Sequence, residues 1–241
     1  GSPRPQTPAN RAGGVLRACR RDTVYLHYVF DLWANQWRKR HAQGDVVMVR
    51  YADDMVVGFE RRAEAEQFHH DLRERFRKFC LELHPDKTRV IEFGRFAARN
   101  RKRRGEGKPE TFDFLGFTHV CDRSRNDRFI VLRQTSGKRM RAKLAEIKQE
   151  LRQRLHHSTP SVGRWLRSVV QGYFRYYAVP RNHRKLHAFK YQVYRLWLQS
   201  LQRRSQRHRI SGERMNRLAA KWLPPVRILH PYPEQRLRVT T

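Results

Sequence analysis

Residues 46–59 read Val-Val-Met-Val-Arg-Tyr-Ala-Asp-Asp-Met-Val-Val-Gly-Phe, two apolar, β-branched runs that meet at the adjacent carboxylates Asp53 and Asp54. Each run has the composition of a strand buried on both faces, and Tyr51-Ala52-Asp53-Asp54 has that of a tight turn between them. Asp is a common turn former in its own right. Two carboxylates side by side at a hairpin tip, however, repel one another and resist desolvation, so the pair suits a place where a divalent cation neutralises it, Mg²⁺ being the natural candidate.

Working outward, Tyr25, Tyr28, Val29, Leu32 and Trp33 precede the hairpin at the spacing of an amphipathic helix. Ala65, Phe68, Leu72, Phe76 and Phe79 follow it on a second helical stripe. Leu83 to Phe93, with His84-Pro85-Asp86-Lys87 near its start, then reads as a turn followed by a strand. Residues 94–111 carry Arg95, Arg99, Arg101, Lys102, Arg103, Arg104 and Lys108 and read as a solvated loop able to hold a phosphate backbone. Phe112 to Thr118 and Arg128 to Leu132 read as a strand pair.

From Gly137 the period becomes helical: Met140 to Leu155, Val162 to Tyr177 and Leu186 to Leu201 each repeat apolar residues at three and four. A shorter fourth helix is expected at Arg214 to Trp222, and these segments suffice for a small bundle. The interleaved Tyr176, Tyr177, Tyr191, Tyr194 and Trp197 track the apolar stripe, so most are expected in the core. The expected fold is α+β: a leader at 1–23 without order, a sheet-and-helix region at 24–136, a helical domain at 137–223 and an extended, Pro-rich tail at 224–241.

The charge narrows the partners. Lys and Arg number 53 against 22 Asp and Glu, a formal net charge of +31, which favours a polyanion, nucleic acid above all. No apolar run approaches the roughly 18 residues of a membrane span, and no signal-peptide pattern opens the chain, so a cytoplasmic protein without a membrane partner is expected. Cys19, Cys80 and Cys121 lack metal-ligand spacing and read as plain thiols.

Four stretches in this order, Tyr51-Ala52-Asp53-Asp54, Leu81 to Thr88, Phe112-Asp113-Phe114-Leu115-Gly116-Phe117 and Val170 to Tyr177, resemble the late palm and thumb of a reverse transcriptase, and more narrowly a group II intron-encoded reverse transcriptase/maturase. The resemblance implies RNA-directed DNA polymerase activity with a two-ion Mg²⁺ site. Asp53 would be the direct ligand and Asp54 its neighbour, with Lys87 near the departing pyrophosphate as a proton donor or simple phosphate contact. Tyr51 and Ala52 would line the path of primer and template, and Phe114, Leu115 and Gly116 would belong to the primer grip. Expected partners are the intron RNA, an RNA template, a DNA primer and a deoxynucleoside triphosphate.

The resemblance also implies a further metal-binding carboxylate from an earlier palm strand, which neither Asp22 nor Asp31 convincingly replaces. The chain is therefore expected to be the later part of a longer enzyme, with its hairpin on a newly exposed sheet edge open to self-association. Arg101, Lys102, Arg103, Arg104, Arg164, Arg167, Arg175, Arg181, Arg184, Arg203 and Arg204 are the expected RNA contacts. Two other readings are a maturase remnant that binds RNA without catalysis and a basic RNA-coating protein.

Overall fold

The computed structural model describes residues 12–17, 23–204 and 210–232. The chain is α+β and divides into two units, residues 1–132 and 133–241.

The first unit is built on a four-stranded antiparallel sheet of β1 (Ala12–Arg17), β2 (Val46–Tyr51), β3 (Asp54–Phe59) and β4 (Arg89–Glu92), in the order β2-β3-β1-β4. Tyr51 pairs with Asp54 and Val46 with Phe59, so the 46–59 stretch is the two-residue-loop hairpin its sequence predicts. One face of the sheet is covered by α1 (Thr23–Leu26), a π-helical segment His27–Asp31, α2 (Leu32–His41) and α3 (Arg62–Arg77). Val46, Met55, Val57 and Phe59 from the sheet pack there with Val29, Phe30, Trp37, Phe68, Leu72 and Phe76. Edge-on ring contacts run through this core, Trp37 to Phe68 at 5.0 Å and Phe30 to Phe76 at 6.5 Å between centroids.

Three expectations are corrected here. The hairpin strands are not buried on both faces: Val47 (41%) and Val49 (47%) on β2 are exposed, because the sheet is packed on one side only. The leader expected to lack order contributes β1, while residues 1–11 and 18–22 lie outside the described residues. Gly13-Gly14-Val15-Leu16 is a short uncharged run, and by pairing with both β3 and β4 it satisfies backbone groups that would otherwise face nothing. The outer strands are accordingly β2 and β4, and of the hairpin only β2 lies at an edge. Finally, residues 94–111 are not simply a loop, since Ala97–Arg103 forms α4 with Ala97 buried.

A second sheet, order β5-β6-β7, follows with β5 (Phe112–Phe114), β6 (Phe117–Arg123) and β7 (Phe129–Thr135). The segment 112–118, read as one strand, is two. Leu115 and Gly116 have φ of 49° and 76° and close a tight hairpin with positive φ at both loop positions.

The second unit holds α5 (Gly137–Gln153), α6 (Thr159–Tyr177), α7 (His183–Gln202) and α8 (Gly212–Trp222). Pro160 sits in the first turn of α6, and the Ser211 hydroxyl caps α8 by accepting the Arg214 amide at 3.3 Å, so both starts follow from residue type. Ile147, Leu151, Leu166, Val170, Phe174, Leu186, Phe189, Val193, Trp197, Leu201 and Met215 form the core, as their spacing predicts. Tyr173 stacks on Phe189 at 3.6 Å. At Gly163 a β-carbon would lie 2.6 Å from the Trp222 ring, so glycine lets α6 and α8 approach there. The chain after Trp222 is non-helical as far as Tyr232, and Ala178 O accepts the Leu229 and His230 amides; residues 233–241 lie outside the described residues.

Asn182 ties the start of this unit to the α6–α7 connection. Its Oδ1 accepts the Thr135 amide at 3.0 Å, while its Nδ2 donates to Thr135 Oγ1 at 2.7 Å and to Tyr177 O at 2.8 Å. Asn182 and Thr135 are both buried.

Candidate functional site

The tip of the β2–β3 hairpin presents Tyr51 and Ala52 exposed and Asp53 and Asp54 half-buried, so the four residues predicted to act together are adjacent in space as well as in sequence. Ala52 has φ 53°, the sign that a type II′ turn requires at its first loop position. A non-glycine residue there costs on the order of 1 kcal/mol.

What holds that strained tip is Arg50. Its Nη1 donates to Ala52 O at 2.9 Å, and its Nε and Nη2 form a bidentate pair with the Asp31 carboxylate at 2.7 and 2.5 Å. His27 Nδ1 lies 3.2 Å from the same carboxylate. The hairpin tip is thus fastened to the π-helical turn, where the Val29 carbonyl also accepts Arg75 Nε at 3.2 Å. Sequence reasoning missed Arg50; the available signal was a lone charge inside an apolar strand, which demands a partner.

Burial by itself pushes the Asp31 carboxyl up, but hydrogen bonds from Arg50 and His27 outweigh it and leave the group below its ordinary value. A carboxylate depressed in the folded state adds stability above its unfolded value, near pH 4, and that stability is lost as pH falls through the lower folded value. Asp31→Asn should therefore flatten the dependence of stability on pH below about 4, measured by urea unfolding at a series of pH values. Equal slopes for wild type and variant would remove Asp31 from the account.

Lys87 is exposed in the turn ahead of β4. Arg89 is level with Val15, and Val15 with Val56, so two residues back along β4 reaches the level of Arg17 and Asp54. The Lys87 turn therefore lies at the carboxylate end of the sheet, two strands across from β3, about 10 Å at ordinary strand spacing. Phe114, Leu115 and Gly116 form the β5–β6 turn and are half-buried; next to them Phe112 stacks on His119 at 4.7 Å.

The described residues do not complete a two-ion Mg²⁺ site. Asp53 and Asp54 offer carboxylates, but β1, the strand beside β3, contains none and sets Arg17 opposite Asp54. Among the described residues no three of His, Cys, Asp and Glu come together as a metal-ligand group. Asp31, committed to Arg50, is not the missing ligand. The tip can supply negative field and two oxygen-donor side chains.

The sheet order β2-β3-β1-β4 thus carries adjacent carboxylates at its hairpin turn and helices on one face. Residues 23–119 match the reverse transcriptase (RNA-dependent DNA polymerase) family. The match begins with α1 and ends in β6, so it takes in the hairpin, Lys87 and the β5–β6 turn. The family so matched is, by its description, one of RNA-dependent DNA polymerases. No curated protein matches the chain.

The expected RNA-contacting cations divide once their partners are known. Arg101 pairs with Glu106 at 3.3 Å and Glu110 at 3.7 Å, and Arg104 pairs with Glu92 and with Glu106. These arginines line a cavity of about 340 Å³ with Glu60, Glu92 and Glu110, and hydrogen bonds to Glu106 and Glu92 raise Arg104 further above its ordinary value. They are neutralised internally, and on α4 Arg99, Lys102 and Arg103 stay exposed without a carboxylate partner among the described residues. Arg204 is half-buried and donates to Arg154 O at 3.3 Å, so it is anchored as well.

Arg164, Arg167, Arg175, Arg181, Arg184 and Arg203 are exposed. Between Glu150 and Glu213 the sequence contains no Asp or Glu, so α6 and α7 have no carboxylate of their own to pair these cations. Arg164, Arg167 and Arg175 fall on one solvent face of α6 over about 16 Å of helix. The aromatics also divide: Trp197 is buried as expected, Tyr177 and Tyr194 are half-buried, and Tyr176 (51%) and Tyr191 (57%) stand exposed, contrary to a core assignment. No helix among the described residues is long and apolar enough to cross a membrane.

Proposed function

We propose that the chain is the late palm, thumb and maturase region of a group II intron-encoded reverse transcriptase. Asp53 and Asp54 serve RNA-directed DNA synthesis with Mg²⁺, and the helical unit binds the intron RNA as a cytoplasmic ribonucleoprotein. The observation that carries the polymerase part is the Asp53-Asp54 tip within the segment matching reverse transcriptases. What supports RNA binding is the absence of any carboxylate between Glu150 and Glu213 on a chain of net charge +31. The uncapped β2 edge, with Val47 and Val49 outward, supports self-association through strand pairing.

Primer extension on an RNA template with Mg²⁺ tests the catalytic part. The chain alone should not extend the primer, because the third carboxylate is not among its described residues. Extension should begin when an upstream fingers and palm segment of such an enzyme is supplied, and Asp53→Ala should abolish it. Extension that survives Asp53→Ala would sink the assignment of that residue.

The incomplete carboxylate set favours a second reading, RNA binding without catalysis. In that case no supplement restores extension, yet RNA is still bound. For roughly six to ten phosphate contacts, the logarithm of affinity should fall with the logarithm of salt with a slope of about 4 to 7. A flat salt response would contradict RNA binding in both readings.

A further inference from the structure

Helix α7 carries an outward ridge that the core does not use. Stepping by four, His183, His187, Tyr191, Arg195 and Gln199 are all exposed, while the opposite stripe of Leu186, Phe189, Val193 and Trp197 is buried. Every member of the ridge ends in a planar group: two imidazoles, a phenol, a guanidinium and an amide. The first two already touch, with ring centroids 4.3 Å apart and their Nε2 atoms at 3.2 Å. Arg184 flanks the ridge, and no carboxylate lies on α7 or anywhere between Glu150 and Glu213.

Four residues of helix advance about 6 Å, nearly twice the 3.4 Å rise between stacked bases in a strand. Planar groups at that interval cannot follow a stacked duplex base by base, but they match a strand whose bases are splayed apart. Bases in a duplex are also paired and covered, whereas unpaired bases offer both faces to aromatic and guanidinium planes. The surrounding arginines would meet the phosphates.

We propose that the exposed α7 ridge His183, His187, Tyr191 and Arg195 binds unpaired nucleotides of RNA by stacking, with Tyr191 as its central platform. This rests on the RNA-binding reading above and narrows it from RNA in general to single-stranded segments. Tyr191 contributes the stacking surface and Arg195 the charge. Tyr191→Ala removes the platform, Tyr191→Phe keeps it, and Arg195→Ala removes charge that either form of RNA can feel.

The test is fluorescence anisotropy with a labelled 12-nucleotide single-stranded RNA and a duplex of the same length, at one fixed salt concentration. Tyr191→Ala should weaken binding of the single strand about ten-fold and leave the duplex within two-fold. Tyr191→Phe should restore wild-type affinity, and Arg195→Ala should weaken both probes. Helical circular dichroism confirms that each variant is folded, which is expected for exposed positions. If Tyr191→Ala binds the single strand as wild type does, or weakens both probes equally, the stacking ridge is overturned while RNA binding stands. If wild type binds neither probe, the RNA-binding reading falls and takes the ridge with it.

Discussion

Asn182→Ala should destabilise the helical unit by about 3–5 kcal/mol, more than any surface substitution in it. The variant strands the buried Thr135 amide and takes one hydrogen bond each from the Thr135 hydroxyl and from the Tyr177 carbonyl, which also accepts the Val179 amide at 2.8 Å. An orphaned buried group costs about 1–3 kcal/mol and each of the two further lost hydrogen bonds about 0.5–1.5 kcal/mol, and because the three are coupled through one side chain the sum falls short of the arithmetic maximum. Asn182 also stands at the N-cap of α7, yet its side chain turns back to Thr135 rather than capping the helix. A change that merely preserved helix capping would therefore not rescue it. Asn182→Asp sharpens the point, because a carboxylate keeps the shape but has no N–H to give Tyr177 O, and it buries a charge. The aspartate variant should be at least as destabilised as the alanine variant by urea unfolding monitored at the helical signal. An aspartate as stable as wild type would show that the donor side of the amide is dispensable.

Trp197→Ala should cost a similar amount, about 3–5 kcal/mol, by opening a cavity at the centre of the bundle. Trp197 is fully buried, and the neighbouring core residues Leu151, Val193 and Leu201 sit on elements too well packed to collapse into the space. Trp197→Phe separates two contributions. The indole Nε1–H is buried without a hydrogen-bond partner among the described residues. Phenylalanine removes that unsatisfied donor and most of the ring stays, so the gain offsets much of the smaller cavity. The phenylalanine variant should lie within about 1.5 kcal/mol of wild type. A phenylalanine variant as damaged as the alanine one would mean that the indole donor is satisfied in solution.

The elements that could be read from sequence are those whose pattern is local. Val46 to Phe59 carries its strands and its turn in fourteen consecutive residues, and the stripes from Met140 to Leu201 repeat often enough to fix three helices. Strand β1 could not be read, because Gly13-Gly14-Val15-Leu16 becomes a strand only through pairing with β3 and β4, which are remote in sequence. The fate of the arginines was hidden for the same reason. Arg104 is neutralised by Glu92, twelve residues away, whereas Arg164 and Arg175 have no carboxylate within reach on their own helix. Tyr191 lies on the face opposite Leu186, Phe189, Val193 and Trp197, so its exposure was legible in the helical period, though hidden by the density of aromatic residues along this segment.

At the candidate site, Asp53, Asp54 and Tyr51 were legible from the motif and Lys87 from its turn. The part that sets their geometry, the Arg50–Asp31 clamp, was not. It joins a strand residue to a helix residue nineteen positions earlier, and only folding reveals that the two meet.

The carboxylate-free stretch between Glu150 and Glu213 has a cost before any ligand arrives. On α6, Arg164 and Arg167 stand one turn apart, well within a Debye length, and in the free protein such repulsion works against the bundle. Salt thus acts on this unit with two opposite signs, loosening its hold on a polyanion while relieving its internal strain. A bound polyanion does both jobs at once, so the folded helical unit and its complex with nucleic acid are thermodynamically linked, and the thermal midpoint should climb with the concentration of the polyanion.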